Sequence, residues 1–213
     1  MTSVVRTPPP SRAGRLRLRR SLDAALRGAD LLEQKLHILR TRHQLLLEAE
    51  RTCTKRWHDQ TRQAETWLLR AVVLGGEHAL AAAAAGVGAV DITVHETSTM
   101  GVRHPSTASC AVPDRTPTSA APSNTALVQA EAAYREAVQA AAEYAAAQAA
   151  ARIVGAELLN TRQRVRALRR HWIPRLESAL ARVGLALEQS EHEDAVRRRW
   201  AARQAGERGN TPE

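Results

Sequence analysis

The 213-residue chain has no phenylalanine, and aromatic residues make up only 3% of it. That leaves few large side chains to anchor a thick, layered interior. Alanine fills most apolar positions, which suits a thin helical body better than an ordinary globular core. The only cysteines, Cys53 and Cys110, lie far apart and form no CxxC, so the sequence offers neither a disulfide framework nor a zinc site and fits a reducing compartment. The longest apolar run, Ala79 to Val90, is about a dozen residues of mostly Ala and Gly, against roughly 20 for a membrane span. The N-terminus carries arginines and prolines but no apolar core of a secretory leader, so a soluble or peripheral protein is expected. There is no GxxxxGK[ST] to cradle a nucleotide, and Gly75-Gly76 reads as a helix stop. His95-Glu96 lacks a second histidine at metalloprotease spacing and lies outside any helical pattern. No catalytic, cofactor-binding or metal-ligating residues are therefore assigned, and an enzyme is not expected.

Lysine is almost absent as well: Lys35 and Lys55 are the only two, and arginine supplies the rest of a net charge of +9. Arg6, Arg12, Arg15, Arg17, Arg19 and Arg20 precede any acidic residue, and Arg197, Arg198, Arg199 and Arg203 crowd the other end. Both termini thus carry local positive fields suited to an acidic partner, a phosphate backbone or an anionic surface. An Arg- and Ala-rich vocabulary also follows from base composition alone, so the position of the charge matters more than its total.

What the chain does have is long helical periodicity. Met1 to Gly14, broken by Pro8, Pro9 and Pro10, reads as a disordered arm. From Arg15 to Leu74 there is no proline and one glycine, Gly28. Alternate steps of three and four from Leu22 meet Ala25, Ala29, Leu32, Leu36, Leu39, His43, Leu46, Glu50, Cys53, Trp57, Gln60, Ala64, Trp67, Ala71 and Leu74. So sustained a stripe is the signature of a coiled-coil seam, here on a helix over 15–76. His43, Glu50 and Gln60 on that seam read as devices that fix register, and the tryptophans as seam packing. Only Trp200 sits among basic residues, too little for a nucleic-acid stacking platform.

Residues 77–124 change character. Val90, Ile92 and Val94 alternate with Asp91 and Thr93, reading as a short half-exposed strand. Met100 to Pro105 reads as a turn leading to a return strand, and Ser106 to Asn124 as a mobile loop. A second helix follows over 125–205, then a disordered tail over 206–213. Its first half is uninformative, because any spacing through so much alanine lands on alanine. From Val154 the seam continues through Leu158, Thr161, Val165, Leu168 and Trp172. Pro174 should kink the helix, and beyond it the stripe slips by one residue to Leu176, Leu180, Val183 and Leu187. Two long seams with an irregular centre imply an all-α antiparallel helical hairpin, a coiled coil whose short head holds a small β-hairpin.

Read in order, the ends match more than a generic coiled coil. Pro10-Ser11-Arg12, Leu16, Leu18-Arg19-Arg20, Leu22, Ala25, Arg27-Gly28, Leu31-Leu32 and Lys35 resemble the opening of the D subunit of V-type and archaeal-type ATPases. Arg164-Val165-Arg166-Ala167-Leu168 and Ile173-Pro174-Arg175-Leu176 are similar to that family's returning helix. Leu187-Glu188, Glu191, Glu193 and Arg197 to Arg199 resemble its acidic-then-basic tail, and Met100-Gly101-Val102 its turn. The chain departs from the pattern at Arg166 and Arg169, where Asn and Glu are usual, at Arg103-His104, and over Ser106 to Asn124.

The resemblance implies a central rotor subunit without an active site or cofactor, in a membrane-bound complex on its cytoplasmic side. Its helices would enter a ring of alternating A and B subunits. Its head and foot would meet the small F subunit of the central stalk and the adaptor above the membrane rotor ring, with no nucleic acid bound and no direct membrane insertion. Candidate interface residues on this reading are Arg12, Arg15, Arg19, Arg20, Arg27, Gly28, Met100, Gly101, Val102, Arg164, Pro174, Arg175, Arg197, Arg198 and Arg199. Gly28 is expected where a neighbouring subunit or the partner helix comes close. The other readings of the same residues are a basic scaffolding coiled coil and a nucleic-acid-binding helical hairpin.

Overall fold

A computed structural model describes residues 11–85, 87–113 and 122–208. The elements in order are α1 (Arg12–Ala84), β1 (Asp91–Thr99), β2 (Val102–Ala111), α2 (Thr125–Ala167), a π-helical turn (Leu168–Trp172) and α3 (Ile173–Arg208). They form two compact units, one of Met1–Gln34 with Thr161–Glu213 and the other of Lys35–Asn160.

The start of α1 is set by Ser11. Its hydroxyl accepts the Gly14 N–H at 3.0 Å and its carbonyl accepts the Arg15 N–H at 2.9 Å, satisfying donors that a helix start leaves orphaned. Of the arm expected over 1–14, Ser11 to Gly14 belong to the helix start, and residues 1–10 lie outside the described residues. At the other end, Gly76 (φ 70°, ψ 176°) breaks the helix rather than ending it. Helix resumes to Ala84 because the alanine run after Leu80 has high intrinsic propensity.

In the first unit, Leu18, Ala25 and Ala29 of α1 bury against Ile173, Leu176, Ala179 and Val183 of α3, flanked by Leu22, Leu26, Leu168, Trp172, Leu180 and Leu187. Each large aliphatic so buried contributes about 1.5–3 kcal/mol. Where a kink was expected at Pro174, the structure has a π turn in which Ile173 N–H donates to the Leu168 carbonyl. Pro174 has no N–H to continue the α pattern, and its ring crowds the preceding turn. Of the stretch 206–213 expected as a tail, residues 206–208 belong to α3, and residues 209–213 lie outside the described residues.

In the second unit the helices run antiparallel. Leu39 and Leu46 meet Ala150, Ala151 and Val154; further along α1, Ala64 meets Ala133 and Ala137; Ala71 and Ala83 meet Ala126 and Leu127. Asn124 caps α2, its Oδ1 accepting the Leu127 N–H at 2.8 Å. Leu74, the last residue of the expected seam, is 71% exposed, because the seam closes at Ala71 just before the glycine break.

The strands form an antiparallel hairpin. Met100 (φ 52°) and Gly101 (φ 80°) are both left-handed, as the favoured two-residue hairpin turn requires. Ser106 to Ala111 are strand, with Thr107 to Ala111 paired to β1, where the sequence suggests a mobile loop; of that loop, residues 114–121 lie outside the described residues. Small Ser, Thr and Ala side chains hid the alternation there, and backbone pairing supplies the order instead. Register slips between His95 and Glu96, where Ser106 is the extra residue of a bulge beside Pro105. Its hydroxyl donates to the His95 carbonyl at 3.0 Å.

Candidate functional site

The residues that give this molecule a capacity are spread along the helix pairs. Across the second unit, Lys35 Nζ lies 3.0 Å from Glu157 Oε1 with both side chains 23% exposed, and Arg56 lies 2.7 Å from Glu143. Beside the latter pair, Trp57 stacks on Tyr144 of the opposite helix with ring centroids 5.1 Å apart and planes 10° apart. Burial pushes the Cys53 thiol up, and the Glu143 carboxylate adds to this against a smaller opposing pull from Arg56. Of the expected register residues, His43 sits against Gly155, where a Cβ would stand 2.8 Å from His43 Nε2. Gln60 leaves its Oε1 buried with no hydrogen-bond partner among the described residues, a cost in stability.

In the first unit Arg169 reaches across the helix pair to Asp30 at 2.6 Å and Glu33 at 2.9 Å. This is a two-carboxylate grip that a guanidinium fork is shaped to make. Its hydrogen bond pulls Glu33 below the ordinary carboxylate range, outweighing the upward push of partial desolvation. The lowered value means the pair stabilises the fold in full above the ordinary glutamate pKa of 4.5 and is lost as pH falls through the shifted value. Thermal melts between pH 7 and 3 should therefore fall more steeply for the native chain than for Glu33→Gln below about pH 4.5; parallel curves would show that the pair contributes nothing.

The arginines near the chain ends are displayed on the surface. Arg15, Arg19, Arg20 and Arg27 are exposed and have no acidic partner among the described residues. Arg12 pairs with Glu191 at 2.9 Å while remaining 84% exposed. Arg197 leans on Glu193 and Asp194, Arg198 donates to the Asp194 carbonyl, and Arg199 is exposed, as are Arg164, Pro174 and Arg175. Met100 and Gly101 are exposed at the hairpin tip, whereas Val102 turns inward onto the Leu39–Ala150 cluster. Among the described residues nothing lies within 4 Å of the place a Cβ would take at Gly28, so the partner helix makes no close approach there, whereas Gly155 stands close against His43. The seam residues Leu32, Leu36, Trp57, Trp67, Leu158 and Val165 are half-buried, and Leu39 and Leu46 are buried.

Several working residues escaped the sequence reading. His104 is buried to 1% exposure, with Nδ1–H donating to the Pro105 carbonyl at 2.8 Å and Nε2 3.0 Å from the Thr99 hydroxyl. The acidic partners of Arg169 cannot be named from the sequence before the helices are in register. Among the described residues no group of His, Cys, Asp or Glu could hold a metal ion, and no helix is long and apolar enough to cross a membrane.

What these residues build is a set of long apolar seams with ion pairs crossing from helix to helix. The family model of the ATP synthase D subunit matches residues 15–203. The chain belongs to the ATP synthase D subunit family. Membership makes it a non-catalytic stalk subunit of a rotary ATPase, working within a multisubunit complex. A search of curated proteins finds no match to it. For a D subunit, Arg169 is a replacement of the glutamate that the resemblance leads one to expect, and its charge is answered by Asp30 and Glu33 on α1.

Proposed function

We propose that this subunit is the central rotor element that transmits torque between ATP hydrolysis or synthesis in a ring of A and B subunits and proton or sodium transport in the membrane sector. The observation that carries this is the paired helices of each unit, stitched by apolar clusters and by ion pairs that cross from helix to helix. A single helix bends too easily to hold an angle under load, and a helix gains most of its stability from its packed face. The exposed arginines near both chain ends would grip acidic rims of the A and B ring transiently. The F subunit and the adaptor to the membrane ring would take other surfaces, with Leu69, Val73 and Leu74, each more than two-thirds exposed, offering an apolar face to the adaptor. The complex would stand peripheral to the membrane on its cytoplasmic side. Coexpression with A, B and F subunits should yield a complex containing this chain, and its removal should abolish ATP-driven ion transport while the ring still binds nucleotide. Replacing Arg197, Arg198 and Arg199 with alanine should weaken the coupling of hydrolysis to transport; unchanged coupling would remove the arginine grip from the mechanism, and failure to assemble with A and B would remove the rotor reading itself.

A further inference from the structure

The apolar stripe keeps a different phase on either side of the π turn. Through Thr161, Val165, Leu168 and Trp172 the stripe advances by alternate fours and threes, and Thr161 is 1% exposed. Continued without interruption, that rhythm would bring Arg175, Ala179, Arg182 and Ala186 onto α1, placing two arginines in an apolar seam. The residues buried there are Ile173, Leu176, Ala179 and Val183, flanked by Leu180 and Leu187, while Arg175 and Arg182 are exposed, so the large side chains Leu176, Leu180, Val183 and Leu187 keep the rhythm one position later. A π turn is an α-helix carrying one extra residue in a single turn. Its location, Leu168–Trp172, lies between the two phases.

We propose that the π turn is a phase-correcting joint, in which one inserted residue brings the seam of α3 back onto α1, and that Arg169 is its positioning residue. Three observations converge on it. The stripe slips by one residue across this segment and nowhere else between Thr161 and Leu187. Pro174, two residues past Trp172, removes the N–H that a regular α-helix would use and so favours the wider turn at this place. Arg169, inside the turn, holds Asp30 at 2.6 Å and Glu33 at 2.9 Å, tying the wide turn to the facing helix. The inference concerns this helix pair and does not depend on the rotor reading.

The joint makes an unusual demand: deleting a residue should be harmless in one place only. Removing exposed His171, with Pro174→Ala to restore the missing donor, converts the turn to regular helix while leaving both flanking stripes in phase. Removing exposed Arg182 carries Val183 and Leu187 off the seam. The full chain with the first change should melt within about 3 °C of the parent and keep amide-exchange protection over residues 173–187, while the Arg182 deletion should lose more than about tenfold of the protection beyond Leu180. Deleting Arg170 with Pro174→Ala serves as a second version, should the His171 deletion misfold for reasons of its own. Equal damage from deletions inside the turn and at Arg182 would overturn the proposal, and so would equal tolerance, which would mean the seam has no phase to correct. In the joint-deleted chain Arg169 should lose its effect, so that Arg169→Ala lowers the melting temperature of the parent but not of the deletion variant; an equal drop in both would remove Arg169 from the role.

Discussion

Replacing Leu39 with alanine is expected to lower the stability of the second unit by about 3 kcal/mol, the usual scale for removing a fully enclosed leucine and leaving part of its volume empty. Leu39 is 0% exposed and closes against Ala150, Ala151 and Val154. Those neighbours are small, and alanine cannot swing to fill a void, so the cavity should persist. Leu45, on the same helix but 52% exposed, should cost well under half as much when changed in the same way. Urea titrations of the two variants check the contrast. Similar losses would mean that the interface closes through other residues.

Enlarging Gly155 should have the second-largest effect. Gly155→Leu places its Cβ 2.8 Å from His43 Nε2, closer than a side-chain carbon packs against a ring nitrogen, so either the ring or the helix must move. A loss of about 2–3 kcal/mol is expected, the upper part of the range for forcing atoms into a packed interface. His43→Ala should return most of it, because the obstruction is a side chain rather than backbone. A double-mutant cycle gives the coupling directly, and a coupling near zero would show that His43 is not what Gly155 accommodates. Gly28→Leu should leave folding of the isolated chain intact, since among the described residues nothing lies within 4 Å of the place its Cβ would take.

Much of this arrangement could be read from the residues alone, and the reason is specific. Leucines at three- and four-residue steps leave few alternatives to a helical seam, and Met100-Gly101 flanked by alternating residues leaves few alternatives to a hairpin turn. The one-residue slip beyond Trp172 was visible too, though only the folded helix decides whether a slip becomes a bend, a bulge or a π turn. The alanine-rich half of α2 was opaque because its burial is not one-sided: Ala130, Ala133, Ala137 and Ala140 are buried, and so are Ala142, Ala146 and Ala150. Val87, Val90, Val112 and Pro113 line a pocket together with Tyr134 and Val138 of α2, and Val102 rests on the cluster containing Ala150, so this helix receives the hairpin as well as α1. A helix covered on two faces has no single apolar stripe to find. The ion pairs were hidden for another reason, since Lys35 with Glu157 and Arg169 with Asp30 and Glu33 become neighbours only once the helices are paired in register.

The alanine faces of α2 also limit how this gene can change. Alanine has no rotatable side chain, so the interface freezes no rotamers when it forms, and its close spacing is obtained without that entropic loss. One nucleotide separates an alanine codon from glycine, serine, threonine, proline, valine, aspartate or glutamate. Of these only glycine and serine fit the enclosed positions without pushing the helices apart or burying a charge, and both are poorer helix formers than alanine by about 0.5–1 kcal/mol. The central stretch of α2 is therefore a region in which most random substitutions are harmful, although it contains no reactive group and looks compositionally plain.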